Sequence, residues 1–145
     1  MDLNLKGKKV FIAGGSRGIG KAIASVLADE GAEIVIAARS LKRLEDTANE
    51  ISSKSKTKVI PMSFDVADKG SVDSAIKNAH SVLNGLDILV NSAAIPNGSP
   101  AAIRPIDSLD EDALIGDFNI KYVGALRCSR AALPYMQEQR WGRII

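Results

Sequence analysis

Short apolar runs alternate with stretches of helical period along these 145 residues, and that alternation restricts the fold more than any other feature. The runs are Val10 to Ala13, Ile34 to Ala38, Val59 to Phe64 and Leu86 to Asn91, with a fifth beginning at Arg143-Ile144-Ile145. They are apolar on both faces, as strands of a parallel sheet covered on both sides must be. Between them, Ile19, Ile23, Val26 and Leu27 form one helical stripe. Leu41, Leu44, Ala48 and Ile51 form a second, and Val72, Ala75, Ile76, Ala79, Val82 and Leu83 a third. A fourth and longer stripe, Leu114, Phe118, Tyr122, Ala125, Ser129 and Leu133, opens on the acidic cluster Asp110-Glu111-Asp112 at its positive end. Pro134 is expected to end or kink that helix. The order is that of an α/β doubly wound parallel sheet with right-handed crossovers, in three αβα layers. The strand order expected is 3-2-1-4 with strand 5 only begun, so the outer edge of strand 4 should be largely unpaired. Pro61 fits strand 3 because an edge strand can spare the N–H that proline lacks.

The first strand and first helix are joined by Ala13-Gly14-Gly15-Ser16-Arg17-Gly18-Ile19-Gly20. Glycines at such a turn allow positive φ and put no Cβ between the backbone and an approaching phosphate. The following helix points its free N–H groups and positive dipole end at the same spot. Gly15 to Gly20 followed by Lys21 also spells most of a P-loop, G-x-x-x-x-G-K. Ala22 then stands where a Ser or Thr should hold magnesium, and Asp87 precedes its strand instead of following it. An NTPase is therefore the lesser reading.

Nineteen Lys plus Arg against seventeen Asp plus Glu imply no basic face, so nucleic acid is not an expected partner. A single cysteine, Cys128, allows no intrachain disulfide and reads as a small buried residue. The N-terminal residues lack the apolar core of a signal peptide and no run reaches membrane-span length, so a cytoplasmic protein with no membrane partner is expected. His80 is the one histidine and reads as a helix surface residue; no Cys or carboxylate cluster completes a metal site, so no metal is expected. The Pro-, Gly- and Ser-rich connection from Ile95 to Asp107 follows strand 4, where a loop borders the ligand crevice of such a sheet.

The spacing Gly14-x-x-x-Gly18-x-Gly20 resembles the nucleotide-binding turn of the short-chain dehydrogenase/reductase family, a variant of the Rossmann fingerprint. The resemblance runs the whole length of the chain, is similar to the N-terminal part of 3-oxoacyl-ACP reductase-like enzymes, and places further sites in order. Asp65-Val66 matches the point where the family's Asp contacts adenine. Asn91-Ser92-Ala93-Ala94 stands in place of Asn-Asn-Ala-Gly, which supports the central strand and lines the cofactor, and Asn119 stands where a helix Asn supports the proton relay. Ala13 replaces the usual Thr, and Ser92 and Ala94 depart from the motif. The cofactor-binding set implied is Gly14, Ser16, Arg17, Gly18, Ile19, Gly20, Arg39, Ser40, Asp65, Val66, Asn91 and Ala93, with Asn119 on the catalytic side.

The resemblance implies a Rossmann-like fold and an oxidoreductase that reduces a carbonyl or oxidises a secondary alcohol by hydride transfer, as a homodimer or homotetramer. Family members use a Tyr as proton donor with a Lys four residues on, and a Ser after strand 5. Tyr122 is followed at that distance by Leu126 and Tyr135 by Gln139, so the Ser, Tyr and Lys are expected to be absent from residues 1–145. That span reads as a single dinucleotide-binding domain, incomplete at its C-terminus. Cofactor choice follows from charge: the end of strand 2 reads Ala37-Ala38-Arg39-Ser40, with no carboxylate to bind a ribose 2′-OH. Arg39 can make planar charged hydrogen bonds to a 2′-phosphate and Arg17 offers a second cation, which points to NADP(H). A non-catalytic nucleotide-binding or interaction protein is the alternative the residues leave open.

Overall fold

The central strand β1 (Lys9–Ala13) pairs in parallel with β2 (Glu33–Ala38) on one side and β4 (Ile88–Asn91) on the other. With β3 (Val59–Ser63) beside β2 and β5 (Arg143–Ile144) beside β4, the order is 3-2-1-4-5, all parallel. This computed structural model describes residues 3–95 and 104–145. Pro61 sits opposite Ile36 on β3, the sheet edge, where its missing donor costs no ladder bond to a further strand.

The helices α1 (Gly18–Asp29), α2 (Leu41–Ser55), α3 (Lys69–Leu83), α4 (Glu111–Phe118) and α5 (Gly124–Glu138) complete the doubly wound arrangement. Because side chains alternate along a strand, each strand feeds two cores. Val10, Ile12, Ile34, Ile36, Ile88 and Val90 pack beneath α1 and α2. Phe11, Ala13, Val35, Ala37 and Leu89 pack beneath α3 and α5, with Phe11 edge-on to Phe64 at 5.7 Å.

Several sequence expectations change here. On α1 the buried face is Gly20, Ala24 and Ala28, while Ile19 (75% exposed) and Val26 (59%) point outward. Small residues win because they let the helix backbone approach the sheet. Leu41 and Val82 likewise fall outside the buried faces of α2 and α3. The long fourth stripe does not survive either. A π turn, Asn119–Val123, separates α4 from α5 and adds a residue to one turn, advancing the helical phase by about 100°. The face against the sheet is therefore Gly124, Cys128, Ala132 and Met136, while Leu114, Phe118, Tyr122 and Leu133 are exposed.

Pro134 does not end α5, which continues to Glu138. The proline lies on the exposed side, between the buried Ala132 and Met136 that hold the helix down. His80 is half-buried, not a free surface residue: its ring stacks on Tyr135 with centroids 4.2 Å apart. Nor is the outer edge of β4 left open. Arg143 N donates to Asp87 O, Ile145 N to Leu89 O and Asn91 N to Ile145 O, at 2.8 to 2.9 Å. No described helix is long and apolar enough to cross a membrane.

Candidate nucleotide site

At the C-terminal ends of β1, β2, β3 and β4 the structure opens a crevice of about 780 Å3, within the range of small-molecule sites. This is the topological switch point, where the connections leaving β1 and β4 run to helices on opposite faces of the sheet. The glycine turn forms its floor, and the turn's glycines act in different ways. A Cβ on Gly14 would lie 2.5 Å from Ser92 O, and one on Gly20 would collide with the Gly14 carbonyl. These two are glycines so that the turn can fold against its own protein. Gly18 differs: its φ is +55° and a Cβ there would meet nothing within 4 Å. Only at Gly18 does the missing side chain face open space. Gly14 N (2.7 Å) and Gly15 N (3.3 Å) both donate to Ala37 O, tying the turn to the end of β2.

Helix capping separates the crevice from the rest of the molecule. Asp68 caps α3, and Asp110 caps α4 by accepting from Asp112 N at 3.0 Å and Ala113 N at 3.3 Å. The N-termini of α1 and α2, which line the crevice, have no acid in their first turn. Arg17 precedes α1 without a side-chain cap, and Arg43 occupies the first turn of α2. Basic residues at two positive dipole ends are unfavourable unless an anion is there to meet them. Arg17, Arg39 and Arg43 line the crevice with Ser40, and Asp65 is the one acid among the described lining residues. One carboxylate oxygen of Asp65 is engaged locally, accepting from Ala67 N at 2.9 Å. These residues fit a phosphorylated adenosine group.

Of the residues expected from sequence, Gly14, Ser16, Arg17, Gly18, Ile19, Gly20, Arg39, Ser40, Asp65, Val66 and Ala93 line this crevice together. Asn91 does not. Its side-chain amide donates to Ile145 O at 3.3 Å, on the β5 side, and its Oδ1 is buried without a partner. Asn119 is not a lining residue either. Arg127 Nη2 donates to Asn119 Oδ1 at 2.8 Å, and Nη1 donates to Asn119 O at 3.4 Å and Val66 O at 3.2 Å. Arg127 so clamps the π turn to the wall after β3, and it is Ile120 that reaches the crevice.

Arg43 was missed in sequence because it stands four residues beyond Arg39. It would have been visible as a cation in the first turn of a helix whose N-cap, Ser40, already lay at the site. Ile95 lines the crevice, but residues 96–103 of the expected bordering loop lie outside the described residues. The P-loop reading loses its lysine: Lys21 Nζ is held by Glu50 of α2 at 2.6 Å, which keeps the Glu50 carboxyl below its ordinary range. Asp87 accepts from Lys9 N at 2.8 Å at the far end of β4, away from the turn.

Residues 8–145 match the family model described as short chain dehydrogenase. An uncharacterized oxidoreductase of Staphylococcus aureus (strain USA300) is 41% identical over 141 residues, which cover 97% of this chain and 58% of that protein. A 3-oxoacyl-[acyl-carrier-protein] reductase of Aquifex aeolicus is 30% identical over 145 residues, covering 100% and 56%. Among solved structures, L-sorbose reductase from Gluconobacter frateurii in complex with NADPH and L-sorbose superposes with a TM-score of 0.89 at 33% identity. That match covers 99% of this chain and 53% of the reductase. The chain thus spans little more than half the length of the relatives it matches.

Proposed function

The chain belongs to the short-chain dehydrogenase family, and on that premise we propose that it forms the cofactor-binding part of an NADP(H)-dependent oxidoreductase acting on a small carbonyl or secondary alcohol. One observation supports the choice of NADP(H) above others. Arg17, Arg39, Arg43 and Ser40 share one crevice whose β2 end bears no carboxylate. A 2′-phosphate would neutralise a cluster that a bare ribose leaves uncompensated. The NADPH held by the similar L-sorbose reductase is in keeping with this.

In this reading Gly18 and the N–H groups opening α1 receive the pyrophosphate. Asp65 and Val66 flank the adenine, Arg39 with Arg43 holds the 2′-phosphate, and Ala93 lies beside the ribose. The nicotinamide supplies the hydride. The proton must come from elsewhere, since neither Tyr122 nor Tyr135 lines the crevice or has a Lys four residues on. Residues 1–145 alone are therefore expected to show no NADPH-dependent reduction. General acid catalysis is typically worth about 10²- to 10⁴-fold. The exposed apolar band of Leu114, Phe118 and Tyr122, with the last two rings stacked at 4.9 Å, suits burial in a homodimer or homotetramer, which light scattering would detect.

The assignment is tested by titrating the protein with NADPH and NADH. Arg39→Asp is expected to weaken NADPH by about 1.5 to 3 kcal/mol, roughly ten- to a hundred-fold, through lost charged hydrogen bonds. An unchanged NADPH affinity would refute it.

A further inference from the structure

Two polar residues, Ser16 and Thr47, are buried among the described residues, and they are bonded to each other. The Thr47 hydroxyl, on α2, donates to the Ser16 carbonyl of the glycine turn at 3.0 Å, across 31 positions of sequence. Nothing in α2 itself asks for threonine there. Thr is a poorer helix former than Ala, and its hydroxyl in a helix ordinarily bonds back to the carbonyl four residues earlier. Here it leaves its own helix and reaches the turn, and its exposure is 4%.

The bond acts on the residue next in sequence. A trans peptide points its C=O and the following N–H in opposite directions, so drawing the Ser16 carbonyl toward α2 turns the Arg17 N–H away from it. On its other side the turn is already fastened to β2 through Ala37 O, and Gly15 lies against Ile36, where a Cβ would stand 2.7 Å from the Ile36 Cβ. The strand and helix that fasten the turn are those that Arg39 and Ser40 connect, and the helix carries Arg43. Lys21 on α1, bonded to Glu50 on α2, ties the helix that follows the turn to α2 as well.

We propose that Thr47 is a positioning residue that sets the spacing between Arg17 on the glycine turn and Arg39 and Arg43 at the β2–α2 junction. It thereby sets the preference for a 2′-phosphorylated adenosine. This rests on the NADP(H) reading of the crevice and names the contact that gives that reading its geometry. Thr47 does not line the crevice. It acts through the Ser16–Arg17 peptide.

Calorimetric titration with adenosine 2′,5′-bisphosphate and with 5′-AMP tests it, because the two probes differ in the 2′-phosphate alone. Thr47→Val, near-isosteric but without the hydroxyl, is expected to shrink the wild-type preference for the bisphosphate three- to tenfold. Thr47→Ser is expected to retain it, with unchanged far-UV circular dichroism in both. If Thr47→Val does not fold, Thr47→Ala set against Thr47→Ser isolates the same hydroxyl. An equal fall in affinity for both probes makes Thr47 a general support of the turn and overturns the spacing role. A wild-type preference left intact by loss of the hydroxyl overturns it as well. Equal wild-type affinity for the two probes removes the NADP(H) reading, and the spacing role with it.

Discussion

Helices α1 and α5 lie on opposite faces of the sheet and meet it through the same spacing of small residues, Gly20, Ala24 and Ala28 in one and Gly124, Cys128 and Ala132 in the other. The two differ in what their leading glycine touches. Gly20 lies against the Gly14 carbonyl, which belongs to a turn held by β2, α2 and Ser92. Gly124 lies against the side chain of Val66, whose Cγ2 would stand 2.6 Å from an added Cβ. Backbone fixed on three sides cannot yield, whereas a single valine side chain on the connection after β3 can repack, by the better part of an ångström. The glycine turn is thus the rigid end of the molecule, and the α5 side is the adaptable one.

Gly20→Ala should break that comparison most visibly. The new methyl has no space to occupy, so we expect a loss of about 3 kcal/mol, at the upper end for overpacking, together with loss of nucleotide binding. A urea midpoint equal to wild type would mean that the turn is not rigid.

An intermediate effect is expected from pH. Burial against the sheet pushes the Cys128 thiol up to about 11, with Arg127 opposing the shift in part. A group that resists ionising in the fold but ionises freely when unfolded contributes stability that is intact below about pH 9 and is lost as pH rises toward about 11. Wild type should lose about 2 kcal/mol more over that interval than Cys128→Ala, since one pKa unit corresponds to about 1.4 kcal/mol. Parallel pH profiles of the two proteins would place Cys128 in contact with water.

The smallest change is expected at Gly124→Ala. Repacking of the buried Val66 costs about 1 to 2 kcal/mol, and the gain in helix propensity, about 1 kcal/mol, offsets most of it, leaving a net loss of about 1 kcal/mol or less. A loss as large as that of Gly20→Ala would show the α5 side to be equally rigid and remove the distinction.

Strand positions, the doubly wound order, the edge placement of Pro61 and most of the crevice could be read from sequence because each depends on local pattern: apolar runs, turn glycines and the charge at the end of β2. The inward faces of α1 and α5 could not. Hydrophobicity alone favours Ile19, Val26, Phe118 and Tyr122, yet the distance between helix and sheet rewards small residues at i, i+4. The π turn at Asn119–Val123 displaced the reading of everything after it, and nothing in Asn119-Ile120-Lys121-Tyr122-Val123 announces an extra residue in the turn. Across it Arg127 bonds to Asn119, a pairing eight residues apart that the i, i+4 spacing of an undisturbed helix does not suggest.

By itself, then, the sequence determined where chain reversals and glycines place the crevice and which charges, Arg43 apart, border it. Short-range sterics and the alternation of strand and helix suffice for that. Only the tertiary structure decided which helix faces meet the sheet, that Asn91 turns toward β5, that Lys21 is occupied by Glu50, and that Thr47 reaches Ser16. Each of these is a contact between residues far apart in the chain, and its partner is chosen by the three-dimensional packing of helices on a twisted sheet.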